Sequence, residues 1–401
     1  MRSTLLPLAA TLAIQALVAM ATITVPVLAP AASDELHLSA GLIGLYVSLV
    51  YLGSMISSAA SADLIRRIGA IRFSQYCLVM CAIGLALLTF GTMPALVASA
   101  FVLGLGYGPI TPASSHILAK TTPPHMMSFV FSVKQTGVPL GGALAGIVVP
   151  PLVLLGGWRL GALAVAGLCV LTAVVAQYIR AENDADRDPK RPISARGPFR
   201  ALALVARDAT VRRLALSSFF FSALQLCLTT YLVTYLTSKL GYTLVEAGLM
   251  LAVATTAGIV GRIAWGAVAD RSGRPAAVLG LVGIAMAAAA GAMAISSPEW
   301  PRVAMIVLCA AFGGTAIGWN GVYLAEVARE APAGKTVEAT GGALFFTFFG
   351  VLITPPIFAA IVEGGGSYGL AFAVVAAPTL LCGLWLLARA APRAPRSAPS
   401  A

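Results

Sequence analysis

Twelve apolar runs, each long enough to cross a lipid bilayer as a helix, govern what this chain can fold into. They lie at about Leu5–Leu28, Ala40–Ala60, Phe73–Phe90, Ala95–Leu118, Phe129–Leu155, Leu160–Ile179, Leu214–Leu236, Glu246–Ala269, Ala276–Ile295, Val303–Leu324, Ala339–Ile361 and Tyr368–Leu387. A hydrocarbon core needs roughly 20 helical residues to span, and within it each backbone N–H and C=O has to be satisfied by the protein itself. Only 10% of the 401 residues are charged and 59% are hydrophobic, whereas about a quarter of a soluble domain is charged. The expected fold class is an all-α polytopic membrane protein. The first run follows Met1 and Arg2 and leads into "APAAS", as a secretory signal would. A signal's apolar core is only about 7–15 residues long, so the run is read as the first span.

The formal charge of +11 would suggest nucleic acid in a soluble chain; here it describes topology. Arg2, Arg66, Arg67, Arg72, Lys120, the cluster from Arg180 to Arg213, Arg271, Arg274, Arg329, Lys335, Arg389, Arg393 and Arg396 fall on one side of the expected membrane. Arg159, Lys239 and Arg302 fall on the other. The positive-inside rule places both termini in the cytoplasm, in a cytoplasmic (inner) membrane, with lipid and not nucleic acid as a partner. Six cysteines (Cys77, Cys81, Cys169, Cys227, Cys309 and Cys382) lie inside apolar runs without metal-ligand spacing. They read as small core residues, and neither a disulfide framework nor a metal or other cofactor is expected.

The longest polar stretch, 181–213, contains "ENDADRDPKRPISARGPFR" and reads as a solvated cytoplasmic linker. It separates an N-terminal bundle of six spans (1–180) from a C-terminal one (214–390), with a cytoplasmic tail at 391–401. The chain has no G-x-x-x-x-G-K-[ST] phosphate loop, so primary energy coupling by the chain itself is not expected.

The halves echo each other at the second cytoplasmic loop of each. Gly266, Asp270, Arg271, Gly273 and Arg274 form G-x-x-x-D-R-x-G-R, and Ala59, Asp63, Arg66, Arg67 and Gly69 form a looser version, with Asp63 and Asp270 207 positions apart. A carboxylate at a helix end pairs with arginines and helix termini and holds one packing of two bundles until they rock.

With these features the chain resembles the major facilitator superfamily. The second-half motif is similar to that family's loop signature, and "TGVPLGGALAG" (136–146) to its glycine- and proline-rich fifth-helix motif. The first-half loop departs from the pattern, with Ala59 in place of glycine and three extra residues before Gly69; the fourth span lacks the arginine many members carry. The resemblance implies a transporter working by alternating access. Asp63, Arg67, Gly266, Asp270, Arg271, Gly273 and Arg274 would act in gating. Gly137, Gly141, Gly142 and Gly146 would let the fifth helix pack closely, with Pro139 as a kink; packing alone is the other reading of these glycines.

Two cations, Lys134 and Arg262, lie inside expected spans, while none of the 15 Asp and Glu residues is near the middle of one. An intramembrane Lys or Arg costs roughly 2.5–3.5 kcal/mol on insertion scales and marks a functional candidate. Arg262 precedes Asp270 by eight residues, about 12 Å at helical rise. Its register resembles that of the carboxylate carriers of the superfamily, the monocarboxylate and oxalate-formate transporters. The oxalate carrier's second cation is on the eleventh helix, where this chain has none, and Lys134 would have to replace it. In that fold the fifth and eighth helices face each other, which implies that Lys134 and Arg262 flank one site. The alternative is that Arg262 bonds backbone carbonyls and holds the eighth helix to its neighbours.

Gln15, Thr111, Ser114, Gln225, Tyr231, Trp319 and Asn320, on the helices that surround the centre of this superfamily, and Gln135 beside Lys134 are further binding candidates. His116 is the intramembrane candidate for titration near neutral pH. The expected function is a secondary transporter of a small organic anion, a carboxylate, acting as a monomer and driven by a proton, another ion or exchange. A multidrug exporter and a non-transporting sensor or assembly factor are the alternatives.

Overall fold

The computed structural model describes residues 2–36, 42–192, 197–242, 244–364 and 366–389. The expected tail 391–401 and the first residues of the second expected span lie outside them. The described residues form α1 (Arg2–Leu36), α2 (Leu42–Ile68), α3 (Ala70–Leu88), α4 (Met93–Tyr107), α5 (Ile110–Thr121), α6 (Met127–Gln135), α7 (Gly137–Val175) and α8 (Arg180–Asn183). They continue with α9 (Gly197–Arg207), α10 (Ala209–Leu240), α11 (Leu244–Ser272), α12 (Pro275–Ala294), α13 (Arg302–Ala316), α14 (Asn320–Glu330), α15 (Thr336–Glu363) and α16 (Tyr368–Ala388). No strand occurs among the described residues, and 11 helical stretches there are long and apolar enough to cross a membrane. The chain is a multi-pass membrane protein.

The later part of the fifth expected span and most of the sixth are the two arms of α7. Its backbone turns at Gly156 (φ −157°, ψ 26°) and Gly157 (φ 78°, ψ 173°), the latter a conformation that side chains disfavour. Beyond the turn, Trp158 Nε1 and Arg159 Nη1 reach Glu35 at 2.7 and 2.5 Å and tie the turn to the end of α1.

The fourth and tenth expected spans are not continuous. The fourth is α4 and α5, interrupted at Gly108–Pro109, and the tenth is α13 and α14, interrupted at Ile317–Trp319. The interruptions are 209 positions apart and close to the middle of the candidate spans Met93–Thr121 and Arg302–Glu330. Pro109 and Pro112 lack the N–H groups that would bond the Leu105 and Gly108 carbonyls in a continuous helix. The fifth span is likewise divided, between α6 and α7, three residues ahead of Pro139, whose missing N–H would have served the Gln135 carbonyl. The interruption falls at Thr136, whose own backbone keeps helical angles (φ −64°, ψ −16°).

The chain divides into two compact units, one comprising Met1–Thr122, Val133–Ala223 and Val327–Pro356, the other Pro123–Ser132, Leu224–Glu326 and Ile357–Ala401. In the first, α1 packs along α7, and α4 packs against α2 and α3. In the second, α11 packs on α13 and α12 on α16. Small residues set these distances: a Cβ on Gly104 would lie 2.1 Å from Val50 O, and one on Gly261 2.2 Å from Gly314 O. Gly280 and Gly383 face each other in the same way. Such stripes let backbones approach where no hydrophobic effect drives helices together.

The expected glycine contacts of the fifth helix are graded. A Cβ on Gly141 would meet Ala16 O at 2.3 Å and Met20 N at 2.7 Å, and Gly137 approaches Gln15 and Leu12 at 3.0 Å. Gly142 meets only the tip of Ile23 at 3.1 Å, and around Gly146 there is open space. Gly141→Val is expected to destabilise the protein by about 1–3 kcal/mol through overpacking, while Gly146→Ala, with room for its methyl, is expected to cost nothing and to gain up to about 1 kcal/mol; thermal unfolding of the two purified variants in detergent checks both.

Candidate functional site

The expected linker is partly a docked element of the first unit. Asp184 is buried, and its carboxylate accepts from Ile71 N (2.8 Å) and Arg72 N (3.0 Å), the first turn of α3. Those N–H groups have no partner within their own helix, and a carboxylate there also meets the positive end of the helix dipole. The α2–α3 turn passes through Gly69 at φ 97°, where a Cβ would collide with Asp184 at 2.2 Å. Asp186 accepts from His116 Nε2 (2.9 Å) and Lys120 Nζ (2.7 Å) and fastens the linker to the end of α5. Burial works against the Asp186 carboxylate, but its bonds to Lys120 and His116 hold its pKa below the usual value.

Asp63, from the looser loop motif, is 4% exposed and is held by Arg191 Nε at 3.2 Å and Arg200 Nη1 at 3.6 Å, both from the polar stretch after α8. Arg66 binds the Glu338 carboxylate and the Gly334 carbonyl at the start of α15. Arg67 lies in the last turn of α2.

In the second unit, Asp270 accepts from Ser128 N (3.1 Å) and Phe129 N (2.7 Å), capping the start of α6. The motif's glycines have separate reasons. Gly273 turns the chain at φ 63°, and Gly266 makes room for Ser132 of α6, whose Oγ would lie 2.5 Å from an added Cβ. Gly321 of α14 meets the same Ser132 at 2.1 Å. Arg271 and Arg274 are exposed.

The buried cations each sit beside a break. Lys134 is 1% exposed, in the last turn of α6, and donates to Gln15 Oε1 (2.7 Å) and Gln135 Oε1 (3.1 Å). Thr111, two residues past the break of the fourth span, donates to the same Gln15 oxygen at 3.4 Å. Both of these partners are amide oxygens, which bond the ammonium through their dipoles. Ser114 bonds its own helix at Thr111 O.

Arg262 is 3% exposed, and its Nε donates to Ile317 O (2.9 Å), at the break of the tenth span. Just beyond it, Trp319 Nε1 and Asn320 Nδ2 donate to Gln225 Oε1 at 3.0 and 3.2 Å. Tyr231 stacks on Phe358 with ring centroids 4.3 Å apart, a packing contact. Lys134, Gln15, Gln135 and Thr111 thus form one polar cluster in the first unit; Gln225, Trp319 and Asn320, with Arg262 at the neighbouring carbonyl, form another in the second.

A groove of about 1290 Å³ runs between α11 and α13, lined mainly by apolar side chains such as Val253, Val260, Ala264 and Ile306 and bounded by the Glu246–Arg302 ion pair (2.5 Å). Val260 and Ile306 are exposed. These walls suit lipid chains and not an anion.

A two-unit, membrane-crossing helical scaffold with buried polar clusters at helix breaks is the architecture of a solute carrier. The chain belongs to the Major Facilitator Superfamily, whose model matches residues 11–343, and it is a transporter, not an enzyme. It is 23% identical over 254 residues to the hexuronate transporter of Bacillus subtilis, covering 60% of this chain and 58% of that protein, less than two thirds of the relative's length. It is 26% identical over 328 residues to the cis,cis-muconate transport protein of Acinetobacter baylyi, covering 79% and 76%. The fold superposes on the Escherichia coli fucose:proton symporter with a TM-score of 0.74 at 18% identity, over 96% of this chain and 99% of the other.

Asp270→Ala removes both acceptor oxygens from the start of α6. The expected outcome is faster amide exchange over residues 127–132 and a loss of about 0.5–2 kcal/mol in stability, the range for a lost helix cap. Hydrogen-exchange mass spectrometry reads the first and denaturation the second; unaltered exchange would sink the capping role.

Proposed function

We propose that the protein is a secondary active transporter of a small organic anion, a carboxylate, which it moves across the cytoplasmic membrane by alternating access, with both termini in the cytoplasm. The observation that carries this reading is Lys134, an ammonium buried in a membrane-crossing unit and solvated by the amide oxygens of Gln15 and Gln135. An intramembrane ammonium held at a helix end by neutral amides marks a functional position, and an anionic cargo can join it through a charge-assisted bond.

The second unit contributes its own buried cation, Arg262, whose guanidinium suits a carboxylate in shape and donor count. Gln225, Trp319 and Asn320 supply amide and indole groups able to bond the cargo's oxygens. The relatives named for hexuronate and muconate support the same class, since both solutes are organic carboxylates. Asp63 and Asp270, with Arg67, Gly266, Arg271, Gly273 and Arg274 around them, act as latches whose release accompanies rocking of the bundles, and the protein works as a monomer using a proton, another ion or exchange.

Uptake of labelled mono- and dicarboxylates, with hexuronate and muconate in the panel, tests the reading against Lys134→Gln at matched expression. Saturable uptake of at least one carboxylate is expected in the wild type, falling by at least about tenfold in the variant for a lost charge-assisted bond of 1.4 kcal/mol or more. Expulsion of a cationic dye by both proteins, with no carboxylate moved, would instead make the chain a drug exporter.

A further inference from the structure

The break in the tenth span is held from outside by one helix face. Trp265 and Arg262 of α11 are three residues apart and so share a face. Trp265 Nε1 donates to Gly314 O and Arg262 Nε to Ile317 O, each at 2.9 Å. The acceptors are also three apart and lie at the end of α13, where a helix's last carbonyls lack partners of their own. The backbones are close enough for this because Gly258 and Gly261 face Ile317 and Gly314, and Gly318 admits Trp265 at 2.9 Å from an added Cβ. Directly after the pinned carbonyl come Trp319 and Asn320, the two donors to Gln225.

The first unit contains the same device in neutral form. Ser54 follows Gly53, which crosses Gly104, as Arg262 follows Gly261, which crosses Gly314. Ser54 Oγ donates to Gly104 O at 3.1 Å, and Ser57, three residues on, points at the same oxygen at 3.4 Å. A hydroxyl satisfies one carbonyl near the break of the fourth span; an arginine at the corresponding place reaches further, to the break itself.

We propose that Arg262 is a positioning residue that fixes the Ile317–Asn320 break through its Nε bond, so that Trp319, Asn320 and Gln225 form a preset polar array for the solute. A guanidinium carries five N–H donors, and the pinning bond is made by the one on Nε. Side chains that keep a donor at that place can therefore be set against ones that keep the charge. The inference deepens the carboxylate reading and rests on it only for the choice of transported solute.

Three variants separate brace from charge. In Arg262→Gln the amide nitrogen stands the same number of bonds from Cα as Nε, so the pin can be remade without charge. Arg262→Lys keeps the charge with carbon at that place, and Arg262→Met keeps neither. Exchange over residues 317–323, followed by mass spectrometry on wild-type and variant protein in lipid nanodiscs without substrate, is expected to rise about tenfold or more in the Met and Lys variants, as loss of a hydrogen bond from a charged donor implies. It is expected to return close to the wild-type rate in the Gln variant.

In uptake, Arg262→Gln should raise KM for a carboxylate while holding Vmax near wild type, whereas Arg262→Met loses Vmax as well. Trp265→Phe, which removes the neighbouring donor but keeps an aromatic ring, provides a milder variant should Arg262→Met not fold, and should raise exchange over the same segment. Wild-type exchange in all variants, or protection by lysine and not by glutamine, would overturn the brace. If no carboxylate is taken up by any of the proteins, the functional reading fails while the exchange result still decides the brace.

Discussion

A backbone carbonyl in hydrocarbon has no water to turn to, and this protein breaks membrane-crossing helices at three described places in spite of it. Each break exposes carbonyls that an unbroken helix would have satisfied, and in hydrocarbon an unsatisfied one costs several kcal/mol. The polar side chains inside the spans are placed accordingly. Thr111 with Gln15 adjoins the break at Gly108–Pro109, Lys134 with Gln135 adjoins the one ahead of Pro139, and Arg262, Trp319, Asn320 and Gln225 adjoin the one at Ile317–Trp319. Irregular backbone at membrane depth is tolerated where it lines a cavity or is buried in protein, which is also where carriers bind their solutes. The same constraint that makes the breaks costly therefore concentrates the donors and acceptors a solute needs.

Two carboxylates show this economy of unsatisfied groups at helix starts. Asp184 caps α3 and Asp270 caps α6, each from a distant part of the sequence and each through two backbone N–H groups. A contact of this kind ties a loop to a helix end without requiring a matching side chain on the helix, so it can be released and remade as elements shift. Glycine supplies the access: Gly69 admits the Asp184 side chain, while Gly266 and Gly321 admit Ser132 beside the start of α6.

Much of this was legible in the sequence because lipid forces a simple code. Apolar runs of spanning length can only be helices, arginines mark the loops, and the G-x-x-x-D-R-x-G-R motif identified the family that the chain belongs to. The breaks were less legible. Gly108–Pro109 carries a visible signal, since proline removes a donor, but at Ile317–Trp319 the signal is one glycine among many, and hydropathy is blind to a single unpaired carbonyl. The docking of Asp184 and Asp186 was missed because a charged stretch reads as solvated, and composition cannot reveal that a particular carboxylate reaches a particular helix start. The same limit applies to Arg262. Its depth was evident from spacing, whereas its pairing with Ile317 depends on how α11 and α13 pack, which the glycines permit but do not announce.

The two halves of the chain differ in a way that separates scaffold from cargo. Gln15 and Gln225 are 210 positions apart, Thr111 and Asn320 are 209 apart, and each glutamine accepts a bond from a residue just beyond a break. Ser54 and Arg262 each follow a crossing glycine and each donate to a carbonyl of the facing helix. These repeated features serve what the halves have in common, a helix pair that must hold a break in place. The charges are not repeated: serine stands where the second half has arginine, and Lys134 answers to no cation on the eleventh span. A neutral hydroxyl suffices to satisfy one carbonyl, so the brace alone does not require a guanidinium. What arginine adds is reach, which takes the donor to the break itself, and a permanent positive charge, which under the proposed carboxylate reading would serve to recognise an anion.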